Sequence, residues 1–183
     1  MRLYMGLVHF PVYNKHRECV ASAITTLDIH DLARLARTYD AKRLFIITPL
    51  DDQRALASRV VRHWTEGYGS RYNQDRKEAL ERVSVGESLA WAFNRIQEME
   101  GEPPIAIATD ASDQGDRSLS YQQARQMIKQ DRAVALIFGT AWGLHEEAIK
   151  PTDHVLAPIR GKTGYNHLSV RTAAAIILDR LVG

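Results

Sequence analysis

Three short runs of this chain place chemically capable residues where a backbone can reach a ligand. They are Ile107-Ala-Thr109-Asp110, Phe138-Gly139-Thr140-Ala-Trp142-Gly143-Leu144 and Leu156-Ala-Pro158-Ile159-Arg160-Gly161. Each begins as an apolar, strand-like segment and ends in glycine, hydroxyl or charged residues. In open α/β sheets ligands bind at such carboxyl ends of strands, where the loops leave the sheet. There, backbone N–H and C=O groups can meet a flat ligand, with Leu156, Ile159 and Leu168 as apolar walls. The third run continues through Gly164 and Tyr165-Asn166-His167 into a helix crowded with Ala173, Ala174 and Ala175. Gly161 and Gly164 would let the backbone take positive φ or approach another segment closely. The alanines would let the helix pack tightly on its neighbours.

Other chemistries lack their signatures. No G-x-G-x-x-G follows the first strand and no G-x-x-x-x-G-K-[ST] occurs, so nucleotide binding of those kinds is not indicated. Gly161-Lys162-Thr163 lacks the upstream glycine of a phosphate loop. No G-x-S-x-G elbow marks an α/β-hydrolase. The seven histidines are dispersed, and His145-Glu146-Glu147 alone is not a zinc site, so no metal is expected.

The elements that would position these runs alternate along the chain. Strands are expected at Leu3–His9, at Arg43–Thr48, near Val83–Val85, at Pro103–Thr109, at Ala133–Phe138 and at Asp153–Leu156. Helices are expected from a Thr25, Thr26 or Asp28 cap through Tyr39, from Asp51 or Asp52 past Trp64, around Ala79 and Leu80, and from Gly86 to Glu100. Two more run from Leu119 or Ser120 to Lys129 and over the chain end. Residues 67–73 read as a turn-rich loop, and residues 110–118 as a polar one. The nearly continuous apolar runs suggest strands buried on both faces. The alternation predicts one α/β domain over residues 1–183, a mostly parallel sheet with helices on both faces.

Composition is compatible with that class. Of 183 residues, 45% are hydrophobic and 25% charged, with a net charge of +2, enough chain for a core without staples. Cys19 is the only cysteine, which excludes an intrachain disulfide and fits a reducing cytoplasm. The N-terminal apolar run is too short for a signal peptide. No segment approaches the roughly 20 apolar residues of a membrane span, so no membrane association is expected.

The succession Leu136-Ile-Phe-Gly-Thr-Ala-Trp-Gly-Leu144, Leu156-Ala-Pro-Ile-Arg-Gly161 and Asn166-His-Leu-Ser-Val-Arg-Thr-Ala-Ala-Ala-Ile176 resembles the closing motifs of the SPOUT RNA methyltransferases. In that superfamily a strand-end glycine motif is followed by a strand, a Pro-x-x-Gly loop and an alanine-rich helix. Those segments form a deep trefoil knot that holds S-adenosylmethionine. The opening His9-Phe-Pro-Val-Tyr-Asn-Lys15 and the run from Asn166 to Arg171 resemble one small bacterial subfamily of unassigned RNA target. Knots are rare among folds, and periodicity alone would not suggest one. The resemblance would explain small residues where segments cross.

The resemblance implies an S-adenosylmethionine-dependent RNA methyltransferase acting on a base or ribose of tRNA or rRNA, as a cytoplasmic homodimer. Its alternative is a noncatalytic cofactor- or RNA-binding module of the same fold. Carried over by position, Thr109, Gly139, Leu156, Ile159, Gly161 and Leu168, with Val170 beside them, would border the cofactor. Methyl transfer needs a positioned nucleophile and a destination for its proton. Asn166, His167, Arg160 and Asp110 are the catalytic candidates. Asn166 could instead cap the last helix, Arg171 could pair with a surface carboxylate, and Asp110 could make an Asx turn. For RNA, Lys15, Arg17, Arg71, Arg76 and Lys77 flank Tyr13, Tyr68 and Tyr72, pairing phosphate-binding cations with rings on which bases stack.

Overall fold

A computed structural model describes residues 1–112, 115–163 and 165–183. Gly164, one of the two glycines singled out above, therefore lies outside the described residues. Seven strands form one sheet: β1 (Leu3–Val8), β4 (Arg43–Ile47), β5 (Val83–Gly86), β6 (Ile105–Thr109), β7 (Ser118–Leu119), β8 (Val134–Gly139) and β9 (His154–Leu156). Two more, β2 (Val12–Tyr13) and β3 (Cys19–Val20), make a separate antiparallel ribbon. The sheet order is β5-β4-β1-β8-β6-β9-β7, and every pairing in it is parallel.

The apolar strands pack on both faces, as parallel strands must. Leu3, Met5 and Leu7 of β1, with Leu44 and Ile46 of β4, point to one face. There they meet helices α1 (Thr26–Thr38), α2 (Asp51–Thr65), α4 (Gln74–Leu80), α6 (Tyr121–Lys129) and α8 (Val170–Val182). Tyr4, Val8, Phe45 and Ile47 take the other face, against α5 (Leu89–Glu100) and α7 (Glu146–Ile149). Each fully buried aliphatic side chain contributes about 1.5–3 kcal/mol. A short helix, α3 (Tyr68–Tyr72), connects α2 to α4.

Local chemistry sets the helix starts. Thr25 caps α1, its hydroxyl accepting from the Asp28 N–H at 3.1 Å. Ser120 and Gln123 form a capping box on α6, satisfying two otherwise orphaned donors. The last helix is capped by Ser169, which accepts from the Thr172 N–H; Asn166, a candidate cap in the sequence, does not do this. Residues 67–73 are not the loop their composition suggests. Gly69 lies so close to Trp64 that an added Cβ would come 2.6 Å from the ring, and the intervening turn closes as α3. The ribbon, β7 and α7 have two to four residues each, too few for periodicity to reveal.

At the amino ends of the strands, charge has a structural use. The hydroxyl of Tyr4 and the ammonium of Lys42 both donate to Glu100, and Arg2 sits 3.6 Å away. Burial alone would push the Glu100 carboxyl up; those hydrogen bonds and cations outweigh it and hold the group below its ordinary value. The carboxyl ends are organised differently.

Candidate cofactor and substrate cleft

The carboxyl ends of β6, β8 and β9, together with the start of α8, surround one cleft of about 980 Å³. β8 ends at Gly139, where the chain folds back on itself. A Cβ at that position would stand 2.6 Å from the Leu144 nitrogen and 2.9 Å from its Cγ. Ala141 and Gly143 take positive φ (52° and 99°), and the Gly143 N–H closes the turn onto the Thr140 carbonyl at 3.0 Å. This is the close crossing expected of Gly161. At Gly161 itself an added Cβ would have nothing nearer, among the described residues, than the Tyr165 carbonyl at 3.9 Å.

β6 ends in Thr109 and Asp110. The Thr109 hydroxyl donates to the Ile137 carbonyl at 3.0 Å, tying β6 to β8. The Asp110 carboxylate accepts from the N–H and hydroxyl of Ser112, both at 2.6 Å. That is an Asx turn, the plain structural alternative for this residue, yet Asp110 still lines the cleft. Leu156, the last residue of β9, is buried while Ile159 beyond it is half-buried, and both form the wall. Leu168, Val170, Ala173 and Ile177 complete the apolar side from the last helix and its approach.

Asn166 donates its amide to the Ala111 carbonyl at 2.7 Å. It pins the loop after β9 to the loop after β6. His167 is exposed at the mouth of the cleft, its ring edge-on to Tyr165 at 5.4 Å. Arg160 and Gly161 line an adjoining depression of about 370 Å³ that shares Ala111 and Asn166 with the main cleft. So Thr109, Asp110, Gly139, Leu156, Ile159, Asn166, His167 and Leu168 come together, and Arg160 and Gly161 sit next door. Arg171 makes the bland contact open to it, pairing with Asp28 at 3.3 Å and Asp31 at 3.5 Å.

The β2–β3 ribbon docks on the turn after β8. Tyr13 donates to the Gly143 carbonyl and accepts from the Trp142 N–H, and the His145 N–H donates to the Pro11 carbonyl, all within 3.1 Å. At the ribbon's tip, Asn14 accepts from the N–H groups of His16 and Glu18. That turn puts Arg17 at φ 63° with its guanidinium 4.0 Å above the Tyr13 ring. Arg17 thereby lines the cleft along with Asp110 and His167. Sequence reasoning grouped Arg17 with general RNA-binding cations and missed this placement, which depends on a ribbon of two-residue strands.

Sequence reasoning also missed the support beneath the cleft. His9 is fully buried, its Nδ1 3.1 Å from the Ser22 hydroxyl; Ser22 in turn contacts the Thr140 hydroxyl, which donates to the Val8 carbonyl at 3.0 Å. Burial pushes the His9 imidazole down to about 4, with the Asp28 charge and the Ala23 backbone pulling it back in part. A neutral, hydrogen-bonded histidine thus anchors the loop after β8.

A family model described as SAM-dependent RNA methyltransferase matches residues 2–183. A protein of Oleidesulfovibrio alaskensis named tRNA (guanine-N(1)-)-methyltransferase is 44% identical over 181 residues, covering 99% of this chain and 42% of its own length. The chain therefore spans about two fifths of that relative. An Aquifex aeolicus protein named only as uncharacterized is 34% identical over 180 residues, covering 98% of this chain and 87% of its own. Among solved structures, a putative methylase family protein from Neisseria gonorrhoeae superposes with a TM-score of 0.66 at 16% identity, covering 99% and 81% of the two chains. That likeness is one of fold.

Proposed function

Because the chain belongs to the family of SAM-dependent RNA methyltransferases, we propose that it transfers a methyl group from S-adenosylmethionine to a base or ribose of tRNA or rRNA. The observation that carries this reading is the convergence of three strand ends and the last helix on a single cleft. Its volume and its mix of apolar wall and few polar groups suit a cofactor of this size. Its chemistry suits the group too: Leu156, Ile159 and Leu168 offer a flat apolar slot for adenine, and Asp110 offers negative charge near a cation. Bound there, S-adenosylmethionine supplies an electrophilic methyl on its sulfonium.

The chain's own residues do the rest. Thr109, with a short side chain, and Gly139, with none, border the cofactor and leave backbone accessible to it. Asp110 and His167 are the groups placed to take a proton from the acceptor. Arg17 holds acceptor phosphate or ribose from the ribbon side, and Arg160 does so from the adjoining depression. Asn166 is better read as a positioning residue, since its amide already holds two loops together. The trefoil knot belongs to the same proposal. It is supported by the return of α8, whose Ala173 and Ile177 lie with Phe138 and Gly139 around the cleft.

We place the protein in the cytoplasm as a homodimer. Support comes from the free, exposed Cys19 and from Trp142 and Leu168, large apolar side chains exposed in the lining of the cleft. Calorimetry with S-adenosylmethionine, followed by transfer of its tritiated methyl into total RNA, tests the function. Binding with transfer that falls at least tenfold in Asp110→Asn or Arg17→Ala is the expected result. Absence of cofactor binding refutes the reading; binding without transfer to any RNA makes the protein a noncatalytic module.

A further inference from the structure

The helix α3 has no reason to exist in the packing of the core. Its only buried residue is Gly69, and two glycines clamp it down. A Cβ at Gly67 would meet the His63 carbonyl at 2.8 Å, and one at Gly69 would meet the Trp64 ring at 2.6 Å. Trp64 is itself wedged in place, edge-on to His30 at 5.6 Å and covered by the Arg76 guanidinium at 4.5 Å. On this fixed base α3 holds two tyrosines outward. Tyr68 and Tyr72 are 75% and 74% exposed, one helical turn apart. Their rings stack at 6.2 Å and 21°.

Cations flank the pair along the chain. Residues 59–77 contain five lysines and arginines and two carboxylates, a net charge of +3 against +2 for the whole chain. Arg71 lies between the tyrosines on α3, while Arg59 and Arg62 sit one turn apart on α2 leading into it; all three are exposed and make no ion pair among the described residues. An exposed, nearly parallel aromatic pair set among unpaired arginines is complementary to an unpaired, stacked base and its phosphates.

We propose that α3 is a second docking point for RNA, a stacking platform for unpaired bases remote from the cleft. This rests on the RNA-directed reading above. α2 leaves the carboxyl end of β4 and β5 restarts at the amino end, so the platform lies toward the amino ends beside β5. The cleft is at the carboxyl ends of β8, β6 and β9, up to five strand spacings away, about 24 Å. A substrate that touches both is a folded RNA with an exposed single-stranded element tens of ångströms from its acceptor nucleotide.

The test uses the full chain at low salt and a labelled single-stranded RNA of about 12 nucleotides containing 4-thiouridine. Binding is read by anisotropy and contacts by crosslinking and mass spectrometry. The expected result is crosslinks on residues 68–72 and at least a tenfold loss of affinity in the Tyr68→Ala, Tyr72→Ala double variant. The Phe, Phe double variant, which keeps the ring faces, should bind within about twofold of the parent. Thermal midpoint and cofactor affinity should stay unchanged in both, since the side chains are exposed. Unaltered RNA affinity in the Ala variant, or crosslinks confined to the cleft, overturns the platform while leaving the methyltransferase reading intact. Tyrosine-dependent RNA binding in a chain that binds no S-adenosylmethionine does the reverse. Loss of self-association without loss of RNA binding assigns the patch to a second copy and also overturns the proposal, as does a parent chain that binds no RNA.

Discussion

Replacing Leu168 by alanine isolates the cofactor wall from the fold. The side chain lines the cleft yet remains 44% exposed, so a ligand that closes over it removes that fraction of its surface from water. Full burial of a leucine is worth about 1.5–3 kcal/mol, and 44% of that is about 0.7–1.3 kcal/mol. At 1.4 kcal/mol per decade, Leu168→Ala should weaken S-adenosylmethionine about 3- to 9-fold. By the same rule the part of the side chain already covered in the fold, the complement of its 44% exposure, contributes about 0.8–1.7 kcal/mol, so stability should fall by no more than that. Leu156→Ala is the control: Leu156 is 2% exposed, and its loss should cost about 2–5 kcal/mol of stability. Calorimetry gives the affinities and urea denaturation the stabilities. A cofactor affinity within about 1.5-fold of the parent would refute the assignment of Leu168 to the adenine wall. A large loss of stability would refute the reading of that side chain as free to serve a ligand.

Two other perturbations separate structural from binding roles. Gly139→Ala should destabilise the fold by about 1–3 kcal/mol, since the new methyl would press on the Leu144 backbone at 2.6 Å. Gly161→Ala, with 3.9 Å of clearance, should stay within about 0.5 kcal/mol of the parent; equal denaturation midpoints for the two variants would contradict the crossing at Gly139. His9 predicts a pH dependence of definite sign. Its imidazole is held neutral down to about 4, against 6.5 when unfolded, so below pH 6.5 the unfolded chain takes up a proton that the folded chain refuses. The stabilisation is complete above pH 6.5 and drains by about 3 kcal/mol as the pH falls to about 4. His9→Gln should flatten that part of the stability profile, and an unchanged slope would be evidence against a neutral buried His9.

The layered fold was legible because its strands are nearly all apolar. Residues 43–47 can be buried only between two helical layers, and that is where they lie. Helix starts were legible to within a few residues: of Thr25, Thr26 and Asp28 the structure takes Thr25 as the cap, and of Leu119 and Ser120 it takes Ser120. The strand ends of the site were visible as places where apolar runs break into glycine, hydroxyl and charge. What stayed hidden depended on contacts far apart in sequence. Glycines at 67 and 69 signal a turn by composition but serve close approach to the His63 carbonyl and the Trp64 ring, respectively. Gly139 and Gly161 look alike in sequence, and only the position of Leu144 tells them apart. The ribbon that carries Arg17 to the cleft is two short strands with no detectable alternation, and His9 becomes an anchor only through Ser22 and Thr140.

The docking of that ribbon has an energetic corollary. Backbone hydrogen bonds from Tyr13, Trp142 and His145 join the segment around residues 11–20 to the turn after β8, so the wall facing one ligand and the floor under the other move as one body. On the proposed function, a ligand that orders this body would spare a second ligand that cost, and each would then tighten the other by the same factor.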